Sequence, residues 1–391
     1  MKALRLSFMA VAATLTVAGA ARAEDTPQPA AEPAGPTALS SPAMSASLAA
    51  NADPRNADLG FLGKIYFSGQ FTALGLAQDN PAAGDHKQQL DLSNAQIEVQ
   101  KTDGVVQFYV QAGAYSLPSL GTPYIKAKDM PDLTFKWVPV AYLKLAPSAN
   151  FNIMIGKLPT LIGAEYTFTF QNLNIARGLL WNQEPAISRG VQANFTQGPL
   201  AVSISLNDGF YSNRYSTVSG LVTYTATPKD TLAFAASGNV DRTSRASFAT
   251  PVAQNNGTVW NLIWTHTDGP WVINPYLQYT TTPKESAFGL PSSASTFGGA
   301  VLAKYAFSPM FNLAGRVEYI SASGSQVSLL YGPKSKAWSL TLTPTWQFKT
   351  VFIRGEASYT RLDSATAGFG LGAAGNRDSQ TRGMIETGFL F

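Results

Sequence analysis

The chain has no cysteine, so no disulfide can brace the fold, and hydrogen bonds and burial must hold it together. Charged residues make up only 13% of the sequence, well below the share of roughly 25% that is typical of soluble domains. After the N-terminus, no segment is apolar for the roughly 20 residues that a membrane-spanning helix needs. Small polar residues and aromatics are abundant instead, which indicates a surface that largely faces something other than water.

The N-terminal residues 1–23 have the pattern of a secretory signal peptide. MKALRLSFMAVAATLTVAGAARA starts with Lys2 and Arg5, continues with an apolar stretch, and ends in the cleavage signal Ala21-Arg22-Ala23. A membrane anchor is the alternative interpretation. Cleavage would remove three basic residues and leave 25 basic against 24 acidic residues. The mature chain would then be nearly neutral, so its charge gives no reason to expect a nucleic-acid partner.

Residues 24–60 are rich in proline, alanine and serine and show no helical or strand period. We predict a flexible periplasmic segment here. The alternative is a short helix around residues 44–50 that docks on a partner.

From residue 61 to residue 391 the apolar positions alternate with small or polar ones, which is the period of a β-strand. Sixteen such segments can be counted, the first at about 64–77 and the last at about 381–391. The connections alternate between tight turns, such as Thr102-Asp103-Gly104, and loops of about eight to thirty residues. This alternation predicts an all-β, antiparallel, up-and-down transmembrane barrel with short periplasmic turns and longer external loops. In lipid such a sheet has to close, because every backbone donor and acceptor must be paired within it.

The charged residues of the predicted strands alternate with apolar ones and therefore belong on the inner wall. On the lipid side an unpaired charge would cost about 2 to 4 kcal/mol at the midplane. The predicted wall contains Glu98, Lys144, Lys304, Arg316, Glu318, Arg354, Glu356, Arg382 and Glu386. This near balance of charge argues against strong ion selectivity, and we expect at most a slight preference for anions.

Aromatic residues at the strand ends predict two belts at the membrane interfaces, where a ring and a polar edge are both accommodated. These residues are Trp271, Tyr305, Tyr319, Trp338, Trp346, Tyr359, Phe389 and Phe391. Pro344 does not fit a strand interior, because it removes a ladder hydrogen bond, and it suggests a bulge.

The chain resembles the bacterial outer-membrane porins, most closely the OmpL-like β-barrel porins. The stretch GKLPTLIGAEYTFTFQNLNIARGLLWNQEPAISRGVQANF, residues 156–195, and the terminal Phe391 carry this resemblance. It implies that the assembly machinery reads Phe391, that related chains often form trimers, and that the long third external loop folds into the lumen. Glu165, Arg177 and Glu184 would then line a constriction opposite Arg316, Arg354 and Arg382. The alternative is an external lid that does not enter the barrel.

The sequence offers little for catalysis. The two histidines, His86 and His266, lack a nucleophile or a ligand set in the same region, so hydrolase and transition-metal chemistry are not expected. We expect no enzyme activity and no cofactor, but passive diffusion of small hydrophilic solutes or ions through a water-filled barrel in the outer membrane of a Gram-negative bacterium, in contact with its lipids. The rivals are a plugged barrel that acts as a surface enzyme or adhesin, and a soluble secreted β protein.

Overall fold

The computed structural model describes residues 47–51, 53–324 and 331–391. The predicted signal peptide and residues 24–46 of the predicted tether lie outside this part of the chain. Both therefore stay predictions.

Sixteen strands form the barrel, and one short strand precedes them. The strands are β1 (Arg55–Asp58), β2 (Lys64–Gln78), β3 (Gln88–Lys101), β4 (Val106–Tyr115), β5 (Val140–Ser148), β6 (Phe151–Pro159), β7 (Ile187–Gln197), β8 (Leu200–Asn207), β9 (Thr217–Thr225), β10 (Asp230–Asn239), β11 (Thr258–Asp268), β12 (Trp271–Thr282), β13 (Ala294–Ser308), β14 (Phe311–Gly324), β15 (Lys336–Phe348), β16 (Val351–Ser364) and β17 (Ser379–Leu390).

Helical segments are few and short. They are the α-helices α1 (Met130–Leu133) and α2 (Val252–Asn255) and the 3₁₀ helices Gly60–Leu62, Thr169–Gln171, Leu180–Gln183 and Ser286–Phe288. No helix in the described part of the chain is long and apolar enough to cross a membrane.

Each strand from β2 to β16 pairs antiparallel with the next strand along the chain. The sheet closes because β17 also pairs with β2, with Phe389 opposite Phe71 and Arg382 opposite Gln78. The predicted sixteen-stranded barrel is confirmed.

The alternation in the sequence is the reason for this closure. In β16, Arg354, Glu356 and Ser358 are buried on the inner side, whereas Ile353 and Ala357 are exposed on the outer side. The remaining faces follow the same rule, because successive side chains of a strand point to opposite faces. Apolar groups therefore cover the outside of the barrel.

Long loops lie at one end of the barrel and short turns at the other. We call the long-loop end external, following the usual orientation of such barrels. The loops used below are L2 (residues 116–139), L3 (residues 160–186), L4 (residues 208–216), L5 (residues 240–257) and L8 (residues 365–378).

The predicted bulge at Pro344 is wrong. Pro344 lies opposite Leu313 of β14 in regular register, and the pairing with β16 keeps the same register on both sides of the proline. The pyrrolidine ring lies beside Gly355 of β16, where an added Cβ would be 3.9 Å from Pro344 Cγ, which is an ordinary van der Waals distance. The irregularity between β15 and β16 lies instead at Lys336 and Ala337.

The C-terminal Phe391 and strand β1 extend the pairing along the barrel seam. The backbones of Phe391 and Gly69 exchange two hydrogen bonds, both of 2.9 Å. A Cβ on Gly69 would lie 2.6 Å from the Phe391 ring, so this position requires glycine. Strand β1 pairs with the first residues of β2, beyond the point where β17 ends at Leu390. The last part of the predicted tether therefore contains a strand, because this edge of β2 still offers unpaired backbone groups.

Residues 47–51 also make defined contacts, at the short-turn end of the barrel. Asn312 Nδ2 donates to the Ser47 carbonyl over 3.1 Å, and Gln347 exchanges two 2.8 Å hydrogen bonds with the backbone of Ala49. Leu48 is buried in a small cluster with Phe352 and Leu390. Asn312, Gln347 and Phe352 belong to β14, β15 and β16, so this segment lies across the inner edge of three neighbouring strands.

Candidate functional site

L3 connects β6 and β7 but hydrogen-bonds to the inner faces of distant strands. Asn94 of β3 donates to Thr169 over 2.7 Å, Gly163 donates to Asn261 of β11 over 3.2 Å, and Asn174 donates to Thr343 of β15 over 2.8 Å. These strands belong to different sides of the wall. The alternative interpretation of L3 as an external lid is therefore inconsistent with the contacts that this loop makes.

Two carboxylates of the wall bind backbone amides of L3. Glu356 accepts hydrogen bonds from Ile175 N at 2.5 Å and from Ala176 N at 3.1 Å. Glu318 accepts one from Leu179 N at 2.7 Å. Hydrogen bonds to an ionised acceptor are about twice as strong as neutral ones. The negative charges of β14 and β16 are thus used to hold the loop backbone.

Two arginines of the wall bind L3 in the complementary way. Arg316 donates to Glu165 over 2.6 Å and to the Ala176 carbonyl over 2.9 Å. Arg354 donates to the Thr169 carbonyl over 2.6 Å. The same Arg354 forms a salt bridge of 2.5 Å with Glu386, so its charge is also compensated within the wall.

Gly178 permits the close approach of L3 to these charged groups. A Cβ at this position would lie 2.4 Å from Glu318 Oε2 and 3.0 Å from both Arg316 Nε and Glu165 Oε2. Its own amide donates to Glu165 over 2.9 Å. A side chain here would separate the loop from the wall.

Arg382 binds L2 and not Glu386. Its guanidinium donates to the carbonyls of Ser119 and Thr122 over 2.9 and 3.1 Å. L2 is linked to L3 in turn, because Leu120 N donates to the Arg177 carbonyl and Arg177 N donates to the Pro118 carbonyl. The two loops are therefore held by one frame of wall charges.

The residues proposed to face each other across a constriction are all buried: Glu165, Arg177, Glu184, Arg316, Arg354 and Arg382 expose 6% of their surface or less. Of the three loop residues, only Glu165 meets its expected partner directly. The Arg177 guanidinium lies over the Trp181 ring, 4.9 Å from its centroid, and has no hydrogen-bond partner among the described residues.

Glu184 is packed against L3 itself. A Cβ on Gly163 would lie 1.8 Å from its Oε2 atom, and its carboxylate has no hydrogen-bond partner among the described residues. This residue belongs to the loop and not to a spanning strand. Burial, together with the nearby charges of Glu165 and Glu318, raises the pKa of Glu184 well above its ordinary value.

The remaining wall residues fall into two groups. Glu318, Glu356 and Glu386 are buried, with at most 5% of their surface exposed. Glu98, Lys144 and Lys304 are only half-buried. The charges that water reaches on the inner wall are therefore a different set from those that hold the loops.

Apolar packing also fastens L3 to one side of the wall. Leu161, Ile162, Leu179 and Leu180 belong to the same buried cluster as inner residues of β9 to β14, including Leu221, Ala235, Val259, Ile263, Tyr276, Ala300, Leu302 and Ala314. Burial of such side chains contributes about 25 cal/mol per Å² of apolar surface. The inner wall is thus less polar there than the sequence pattern indicated.

The predicted interface aromatics lie on the outer side, exposed or half-exposed. Trp271 and Tyr305 are in contact with ring centroids 4.6 Å apart, and Phe389 lies 5.8 Å from Phe391. Trp346 pairs with Phe311, and Tyr319 with Trp338, whose ring lies 5.5 Å from that of Tyr359. Their role at a membrane interface stays a prediction.

Several anchoring residues were missed in the sequence. Asp91 accepts hydrogen bonds from Tyr124 Oη and Ala127 N, both in L2, over 3.1 and 2.7 Å. Asp208 of L4 is fully buried and pairs with Arg189 at 2.7 Å. The length of L2 was the available signal, since a loop of this size in a barrel is usually functional.

The two histidines lie apart. His86 is exposed in the first external loop, beside Asp85, and His266 pairs with Asp230 at 2.8 Å at the short-turn end. In the described part of the chain, no group of three or more His, Cys, Asp or Glu residues could hold a metal ion.

Solved structures with a similar fold are outer-membrane proteins. OmpT of Vibrio cholerae superposes with a TM-score of 0.58 at 12% identity, over 87% of this chain and 100% of that one. The anion-selective porin of Comamonas acidovorans has a TM-score of 0.57 at 13% identity, over 84% and 99%. The channel DcaP of Acinetobacter baumannii has a TM-score of 0.56 at 9% identity, over 84% and 97%. At such identities these likenesses show the fold alone.

Among curated proteins, no sequence matches this chain significantly. A family model does, under the description "Putative beta-barrel porin-2, OmpL-like", over residues 64–391. This match includes every strand of the closed barrel and the loops that its wall charges hold. The chain therefore belongs to the OmpL-like β-barrel porin family.

Proposed function

We propose that the chain is an outer-membrane porin through which small hydrophilic solutes diffuse passively, past a constriction formed by L3 and L2. The observation that carries this proposal is the docking of L3 on wall charges of β14 and β16. Glu165, Arg177, Glu184, Arg316, Arg354 and Arg382 act in it as a frame that fixes the width of the passage. They do not supply free charges that face the solute.

The selectivity of such a passage depends on the charges that remain in contact with water. Glu318, Glu356 and Glu386 are buried, whereas Lys144 and Lys304 keep part of their surface accessible. Glu98 is the half-buried acid of the predicted wall, and it accepts a 3.2 Å hydrogen bond from Ser68. We therefore propose a weak preference for anions, set by the lysines.

Planar-bilayer recordings and liposome swelling test this function. We expect stepwise conductance from folded, heat-modifiable protein, and swelling rates that fall as the size of the sugar increases. Conductance without any sugar-size dependence would contradict the diffusion of hydrophilic solutes. A folded barrel that passes neither ions nor sugars would instead support a plugged lumen, with an enzyme or adhesin role for the external loops.

The neighbours also motivate two proposals about assembly. One of the similar structures is described as the trimer form of OmpT, at 12% identity, and we propose a homotrimer for this chain, to be tested by its mass in native detergent. We further propose that the assembly machinery recognises Phe391 and that lipids contact the outer aromatics. Outer-membrane fractionation of a Phe391→Ala variant, compared with the wild type, tests this recognition.

A further inference from the structure

A cavity of about 530 Å³ opens among the external loops, above L3. Residues of L2, L3, L4, L5 and L8 line it. This volume lies in the range of about 300 to 1,000 Å³ that is usual for small-molecule sites. The cavity is separate from the buried arginines of the wall, since Arg316, Arg354 and Arg382 are not among its lining residues.

Aromatic rings from four loops converge on this cavity. Trp181 of L3, Phe210 of L4, Phe248 of L5 and Phe369 of L8 all line it. Phe248 and Phe369 expose 60% and 42% of their surface to water. Because exposed rings gain free energy when a partner covers them, a solute with a flat apolar part is favoured here.

The charges around the cavity argue for a neutral solute. No lysine or arginine is among its described lining residues, and Glu184 is the one carboxylate. The Oε2 atom of Glu184 is packed against Gly163, which does not line the cavity. The carboxylate of Glu184 is therefore turned to the loop backbone. An anion would lose hydration here without gaining a charged partner. Asn182 and Gln254 provide neutral polar groups.

We propose that this cavity binds a small, neutral solute that combines a ring with polar groups, before the solute enters the constriction. This inference rests on the proposed porin function, because it names the class of solute that the external mouth collects. Aryl glycosides have this chemistry: a flat ring for the aromatic side chains, and hydroxyl groups that keep the molecule in water.

The test uses p-nitrophenyl β-glucoside and protein reconstituted in lipid nanodiscs, since detergent tails would compete for an apolar cavity. The nitrophenyl group quenches tryptophan fluorescence, and Trp181 is the one tryptophan that lines the cavity. We expect saturable quenching that disappears in Trp181→Phe. The double variant Phe248→Ala/Phe369→Ala should weaken binding by about tenfold or more. Tyr215→Ala, at an exposed residue of L4 outside the lining, is the matched control and should bind normally.

Two further ligands sharpen the result. Glucose lacks the ring and should not compete, and p-nitrophenyl β-glucuronide carries a carboxylate and should bind at least tenfold more weakly. Equal binding of the glucuronide, competition by glucose, or unchanged affinity of the double phenylalanine variant would each overturn the inference. Quenching does not require an open passage, so absence of conductance would refute the porin function while leaving this test intact.

Discussion

The buried carboxylate of Glu356 offers the sharpest test of how L3 is held. Both of its oxygens accept hydrogen bonds from the loop: Oε2 from Ile175 N and Oε1 from Ala176 N. Glu356→Gln replaces one carboxylate oxygen with an NH2 group, which donates hydrogen bonds. This NH2 group then faces a backbone N–H that also donates. The variant keeps the size of the side chain but loses part of the binding site for the loop.

The magnitude follows from the number of bonds affected. A hydrogen bond to a charged group contributes about 1.5 to 3 kcal/mol, so the loss of one such bond should weaken the docking of L3 by about 2 to 3 kcal/mol. The population of undocked loop would rise by about 30- to 150-fold. The barrel should stay folded, because the strands of the seam and the outer face are unchanged.

External trypsin reports on this population. Arg177 is fully buried, so the Arg177–Gly178 bond should be cleaved only when L3 leaves the wall. Mass spectrometry of the fragments measures this cut separately from cuts in other loops. Glu98→Gln is the matched control, because Glu98 is another wall glutamate whose hydrogen bond goes to Ser68 of β2. Cleavage at Arg177 at the same rate in both variants and in the wild type would refute the docking role of Glu356.

Three further outcomes are expected. Deletion of residues 24–51 removes the contacts of Ser47 and Ala49 with β14 and β15. It should increase the single-channel conductance, because less of the short-turn end of the barrel is covered. Equal conductance of the deletion variant and the wild type would contradict this. Gly69→Val should slow barrel assembly measured by heat-modifiable mobility, since its side chain would meet the Phe391 ring. Gly220→Val is the control and should not slow assembly, because the nearest atom to a Cβ added at Gly220 lies 3.8 Å away. Raising the pH from 5 to 9 should increase trypsin cleavage at Arg177. The docked loop binds the Glu184 proton more tightly than the undocked loop, so docking loses stability as the pH rises above the ordinary pKa of a glutamate. In Glu184→Gln this part of the pH dependence should vanish.

The strands could be predicted from the sequence because their signal is local. Alternation of the kind seen in β16, where Arg354 and Glu356 flank Gly355, determines both the strand and the side that faces inward. Closure then follows from the pairing that lipid requires, and the partner of β17 is the strand left unpaired at the other end of the chain. Pro344 was misjudged because the register with the two neighbouring strands decides whether a proline causes a bulge, and a local pattern does not show that register.

The candidate site was only partly accessible to the same reasoning. The charged residues of the wall were found, since charge on a strand of this kind must point inward. Apart from Glu165, their loop partners were not found, because these are backbone groups: the amides of Ile175 and Leu179 and the carbonyls of Thr169 and Ser119. Every residue carries such groups, so no residue type marks them. The docking of residues 47–51 was missed for the same reason.

This distinction changes how wall charge relates to selectivity. A charge that is satisfied by loop amides or by a neighbouring guanidinium produces little field in the passage, because its partner cancels it at short distance. Arg354 and Glu386 therefore contribute mainly rigidity. Lys144 and Lys304 contribute to the potential that an ion meets, because water reaches part of their surface. Substitution of these charges separates the two roles. Lys144→Glu/Lys304→Glu should shift the reversal potential toward cations with little change in trypsin sensitivity. Glu386→Gln should change the trypsin sensitivity with little shift of the reversal potential. An equal shift of the reversal potential in both variants would show that the charges of the loop frame also act on the permeating ion.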